Sequence, residues 1–133
     1  MSDAVTIVFR DSLLVGAGGF CGAVSRYLVG VGAAHWIGGR LPWSTLIVNV
    51  AGSFGLAVLL TMAMTSSNVP RHLQIALGTG FFGAFTTFST FSHETMRLLE
   101  LGPGDAVLNI VLNVVLCLAA AWAGAFVVRQ WLT

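Results

Sequence analysis

Apolar residues run along this chain in four long stretches, approximately 13–34, 44–65, 73–98 and 106–128. Each approaches the ~20 residues that an α-helix needs to cross about 30 Å of hydrocarbon. The breaks between them carry turn chemistry: Gly38-Gly39-Arg40-Leu41-Pro42, then Ser66-Ser67-Asn68-Val69-Pro70-Arg71, then Gly102-Pro103-Gly104-Asp105. The pattern predicts one all-α integral membrane domain over 1–133, built from four transmembrane helices. The first stretch is too long and too glycine-rich for a signal-peptide core, so it is expected to stay in the protein.

The third stretch is not a uniform rod. Between Gly80 and Phe91 lie two glycines, three threonines, a serine and five phenylalanines. Glycine and β-branched threonine weaken a helix, and backbone carbonyls freed by a break find no partner in lipid. A break is therefore expected here, buried in protein or lining an aqueous cavity.

Composition sharpens the class. The chain is 56% hydrophobic and only 8% charged, against about 25% charged in soluble domains. A net charge of +1 gives no electrostatic case for nucleic acid. Cys21 and Cys117 sit inside apolar runs and read as small packing residues, not as a disulfide. Trp36, Trp43 and Trp131 fall near segment ends, where interfacial aromatics belong.

Four spans place both termini on one side. That side collects Arg10, Arg71 and Arg129; the other collects Arg40 and Arg97, with Arg26 if it reaches that end. So even a balance gives the positive-inside rule little to act on. Either one arginine or another factor fixes the orientation, or subunits insert both ways and pair antiparallel. Small residues at Gly18 and Gly22, and at Ala51, Gly52 and Gly55, suit close helix contact within or between subunits.

Polar groups within the apolar runs are the functional candidates. Arg26 either anchors a helix end or faces a water-filled vestibule. Thr45 and Asn49 share a helical face, extended by Ser53. The Asn49 amide either offers two N–H donors to an anion or ties helices together. Glu94 suits a polar cap, a vestibule group or a proton acceptor. Asn109, Asn113 and Cys117 form a second stripe, placed to face the first across a pore. Ser89 and His93 are four apart but have no orienting third group, so the protein is not expected to be an enzyme. His35, His72 and His93 lie in different segments and make no metal-ligand set.

Phe85, Phe88 and Phe91 are spaced to share one face. Such a stripe packs or meets lipid, but here hydroxyls interleave the rings. The edge of an aromatic ring is positive and can meet an anion. Carbonyls freed at a break suit a cation instead. One broken helix can therefore hold a structural cation and flank an anion path.

Three motifs carry a family resemblance across essentially the whole chain. Gly18-Gly19-Phe20-Cys21-Gly22-Ala23-Val24-Ser25-Arg26-Tyr27, Thr45-Leu46-Ile47-Val48-Asn49-Val50-Ala51-Gly52-Ser53-Phe54 and Gly80-Phe81-Phe82-Gly83-Ala84-Phe85-Thr86-Thr87-Phe88-Ser89-Thr90-Phe91-Ser92 occur in order. Together they resemble the Fluc (CrcB) fluoride channels. The resemblance implies an antiparallel, dual-topology homodimer in the cell (inner or plasma) membrane. It would export fluoride passively through two pores and so relieve fluoride toxicity. It also implies a structural, untransported sodium ion held by the backbone carbonyls of Gly83 and Thr86, supplied twice. Asn49, Phe88, Phe91, Thr45, Ser89 and Asn113 carry over as the fluoride pathway, and Arg26 and Glu94 as vestibule residues. Ala84 and Phe85 depart from the glycine and aliphatic residue more usual there, and Asn113 and Cys117 stand where hydroxyls are common. The competing class is a small multidrug exporter, which couples protons through a carboxylate in its first span; residues 13–34 contain none.

Overall fold

The computed structural model describes residues 2–66 and 69–132, with side chains from residue 4 onward. Ser67 and Asn68, part of the expected second turn, lie outside the described residues. Every regular element among the described residues is helical: α1 (Ser2–Trp36), α2 (Trp43–Thr65), α3 (Arg71–Leu73), a π-helix (Gln74–Phe82), α4 (Gly83–Phe85), α5 (Phe88–Leu101) and α6 (Pro103–Leu132). Three helices are long and apolar enough to cross a membrane: Ala4–Trp36, Trp43–Thr65 and Pro103–Leu132. The third apolar stretch is not one such helix, because it is divided into successive pieces between Arg71 and Leu101.

Helix α1 starts at Ser2, well before the apolar stretch at Leu13. Hydropathy marks only what suits lipid, whereas helical hydrogen bonding continues into the polar flank. That extension brings Asp11 to Arg71, whose Nη1 lies 2.6 Å from Asp11 Oδ2. The turn after α1 needs glycine, since Gly38 and Gly39 have φ of 61° and 93°. Helix α6 opens with Pro103, which has no N–H to leave unpaired, and Asp105 in the first turn favours the helix dipole.

Helix α2 packs chiefly on α6, and α1 chiefly on the π-helix. Both seams depend on glycine. A β-carbon at Gly124 would lie 2.6 Å from the Phe54 carbonyl oxygen, and one at Gly18 or Gly22 would collide with the carbonyls of Ala76 or Phe81. Few apolar side chains are buried: Leu46, Val48, Leu59, Leu98, Ala106 and Val128. Many large ones face outward, including Phe20, Leu28, Leu118 and Trp122. Polar Thr45, Thr95, Asn109 and Asn113 are buried instead. That inversion suits a chain whose surroundings are as apolar as its core.

Candidate functional site

The backbone leaves the helix at two residues. Thr86 (φ −82°, ψ 158°) and Thr87 (φ −152°, ψ 112°) are extended between α4 and α5. Thr87 caps α5, its Oγ1 accepting from the Thr90 N–H at 3.2 Å and donating to Thr90 Oγ1 at 2.9 Å. The Thr87 N–H donates to Asn49 Oδ1 at 2.8 Å, and Asn49 Nδ2 donates back to the Thr87 carbonyl at 3.3 Å. Thr86 turns both its N–H and its hydroxyl onto the Phe82 carbonyl, at 3.1 and 2.9 Å. Arg26 Nε donates to the Ala84 carbonyl at 3.0 Å.

This bonding bears on the expected cation. In a continuous helix the Gly83 and Thr86 carbonyls would accept from the N–H groups of Thr87 and Thr90. Those donors go instead to Asn49 Oδ1 and Thr87 Oγ1. The two carbonyl oxygens are thereby released from helical bonding, and hard neutral oxygens of this kind fit a sodium ion.

A buried polar ladder extends from the interruption. Asn49 Nδ2 also donates to Asn113 Oδ1 at 3.1 Å, Asn113 Nδ2 donates to Asn109 Oδ1 at 3.1 Å, and Asn109 Nδ2 donates to Thr95 Oγ1 at 2.9 Å. Thr95 in turn donates to the Phe91 carbonyl at 2.7 Å. The two asparagine stripes thus touch directly, with no open path between Asn49 and Asn113. Both N–H groups of Asn49 have acceptors within the chain, so the amide is not the free anion donor that was one of its two readings. Thr87 and Thr95 were not singled out from the sequence. Thr87 carries a usable signal, a threonine immediately before Phe88, the first residue of α5.

Two cavities flank this structure. One, of about 400 Å³, is lined by Asn49, Thr86, Thr87, Phe88, Phe91 and Asn113, among others. The second, of about 530 Å³, is lined by Arg26, Thr45, Thr87, Thr90 and Glu94, among others. Thr87 borders both. The candidate residues therefore divide: Asn49, Phe88, Phe91 and Asn113 fall at the first cavity, and Thr45, Arg26 and Glu94 at the second. Ser89 lines neither; it is exposed, 3.4 Å from Thr87 Oγ1. In the second cavity the buried Glu94 Oε2 has no hydrogen-bond partner among the described residues.

The phenylalanines divide too. Phe88 and Phe91 pair across 5.5 Å with rings inclined at 53°. Phe85 does not join them as its spacing suggests; it stacks on Phe81 at 5.5 Å and 17°. The extended residues Thr86 and Thr87 end the helical phase that would have aligned the three rings.

Known proteins resemble the chain over most of its length. Residues 13–125 match the family described as CrcB-like protein, Camphor Resistance (CrcB). The chain is 42% identical over 119 residues to a protein of Geobacter sulfurreducens named "Fluoride-specific ion channel FluC", covering 89% of this chain and 96% of that one. A protein of the same name from Methylococcus capsulatus is 44% identical over 117 residues, 87% of this chain but 51% of that longer one. Another, from a Shewanella species, is 44% identical over 113 residues, 84% of this chain and 90% of that one. The molecule is a multi-pass, all-helical membrane protein and not an enzyme. It belongs to the CrcB family.

Proposed function

We propose that this chain is the subunit of a fluoride-selective channel that lets fluoride leave the cytoplasm passively across the cell membrane. The observation that carries the reading is the first cavity. It brings the inclined Phe88–Phe91 pair beside a ladder whose amides are already bonded to one another. With the Asn49 donors committed, the positive ring edges are the groups left to meet a small dehydrated anion. Relatives named as fluoride-specific channels support the choice of ion.

In this reading the third apolar stretch is a fourth, broken membrane span, and two subunits pair antiparallel to give two pores. Gly83 and Thr86 from each copy would hold one structural sodium ion, which supplies fixed positive charge and is not transported. Thr45, Ser89 and Asn113 complete the pathway, and Glu94 belongs to its vestibule, with Arg26 bordering the same cavity. The exporter alternative finds no support in Asp11, the carboxylate that the longer α1 adds to the described side chains. It lies ahead of the apolar stretch, inside the polar flank of α1, and is paired with Arg71.

Purified protein in fluoride-loaded liposomes tests the proposal with a fluoride electrode. Rapid efflux that chloride does not match is expected. Well-inserted protein that passes no fluoride would sink it.

A further inference from the structure

Along one face of α1, residues 11, 18, 22 and 26 meet the interrupted segment in chain order. Asp11 pairs with Arg71, Gly18 and Gly22 lie against the backbone carbonyls of Ala76 and Phe81, and Arg26 bonds the Ala84 carbonyl. On α1 the last three positions are i, i+4 and i+8, one face of an α-helix. On the facing segment the contacts fall at 76, 81 and 84. The five-residue step belongs to the π-helix, whose hydrogen bonds also span five residues. An α-helical edge and a wider π-helical one match in few registers, so these contacts select one. Of the last three, the bond from Arg26 is the directed one. It falls on a carbonyl that the interruption orphans, because Phe88, its partner in a continuous helix, begins α5 instead.

We infer that Arg26 is a positioning residue. Its Nε–H holds Ala84 and so fixes the register in which Gly83, Thr86 and Thr87 are presented to the site. The inference deepens the channel reading and rests on it for its flux measurement alone. A vestibule role requires the charge of Arg26, whereas positioning requires an N–H at the place of Nε. Glutamine separates the two, because its Nε2 is bonded to Cδ as Arg Nε is, and it carries no charge.

The test compares Arg26→Gln and Arg26→Leu with the unmodified protein in liposomes, by amide hydrogen exchange and fluoride efflux. Arg26→Leu is expected to speed exchange across 86–90 by roughly tenfold, as loss of a charge-assisted hydrogen bond implies, and to cut efflux by a similar factor. Exchange in α6 should not change. Arg26→Gln is expected to keep exchange across 86–90 within about threefold of the unmodified protein. The inference is overturned if Arg26→Gln loses as much protection as Arg26→Leu, or if Arg26→Leu leaves exchange across 86–90 unchanged. Should Arg26→Leu not fold, Arg26→Gln decides alone: retained protection supports the role and lost protection overturns it. If the unmodified protein passes no fluoride, the channel reading fails while the exchange data still judge Arg26.

Discussion

Asn49 and Thr87 hold each other by two opposed hydrogen bonds, 38 residues apart in the chain: the Thr87 N–H into Asn49 Oδ1 at 2.8 Å, and Asn49 Nδ2 onto the Thr87 carbonyl at 3.3 Å. The amide thus replaces the backbone acceptor that the Thr87 N–H would have in a regular helix and adds a donor to the carbonyl that opens α5. The same Nδ2 opens the ladder to Asn113. Asn49 is therefore at once the clamp on the interruption and a wall of the first cavity.

Asn49→Leu keeps the size and removes all three bonds. It takes the Asn49 partner from both the Thr87 N–H and the Thr87 carbonyl, which should lower stability by about 1–3 kcal/mol. Fluoride efflux should be abolished while the protein still assembles. Thermal unfolding in detergent and efflux from liposomes check the two parts, and wild-type flux in this variant would remove Asn49 from the pathway.

A β-carbon at Gly52 would collide with the Thr86 Cγ2 methyl group. Gly52→Ala should therefore destabilise by about 1–3 kcal/mol through overpacking. Thr86→Ser removes that methyl but keeps a hydroxyl for the Phe82 carbonyl and leaves the Thr86 carbonyl in place, so alone it should be mild. The double variant should recover much of the Gly52→Ala loss. Unfolding measurements on the four proteins of the cycle give the coupling, and strict additivity would show that Gly52 and Thr86 are not in contact.

Phe88 and Phe91 form a pair, and ring pairs contribute about 0.5–1.5 kcal/mol beyond burial, so Phe88→Ile or Phe91→Ile should slow efflux by roughly tenfold. The two changes together should cost less than the product of the single effects, because either one already breaks the pair. Full rates in both single variants would end the ring-edge account.

The helical class and the turns at Gly38-Gly39 and Gly102-Pro103 were legible because hydropathy and turn chemistry act locally. Weak helix formers between Gly80 and Phe91 likewise surround the residues where the backbone leaves the helix. The π-helix was not legible, since Gln74–Phe82 carries no local signal that separates it from an α-helix. Its register is set by contact with α1. For the same reason spacing alone joined Phe85 to Phe88 and Phe91, and put Thr45 with Asn49. Helical phase holds only while the helix continues, and two residues on one face can still border different cavities. The direct bond between Asn49 and Asn113 depends on how closely α2 and α6 approach, which a glycine at 124 permits and no single segment reveals.

Sodium supplies the last test, because the interruption releases two particular carbonyls. The Thr87 and Thr90 N–H groups that would bind the Gly83 and Thr86 oxygens in a helix are taken by Asn49 and by the Thr87 hydroxyl. If these oxygens hold a resident cation, sodium must stabilise the folded protein by mass action, and raising it to 100 times its dissociation constant should add about 2.7 kcal/mol. The melting temperature should climb with sodium but not with a bulky organic cation. Efflux should fade slowly once sodium is withdrawn from liposomes, and adding it back should restore the flux. Thr86→Ser should keep this response, since its carbonyl is retained, whereas Asn49→Leu should weaken it by freeing the Thr87 N–H to return to Gly83. A melting temperature and a flux that both ignore sodium would mean that the released carbonyls serve no ion.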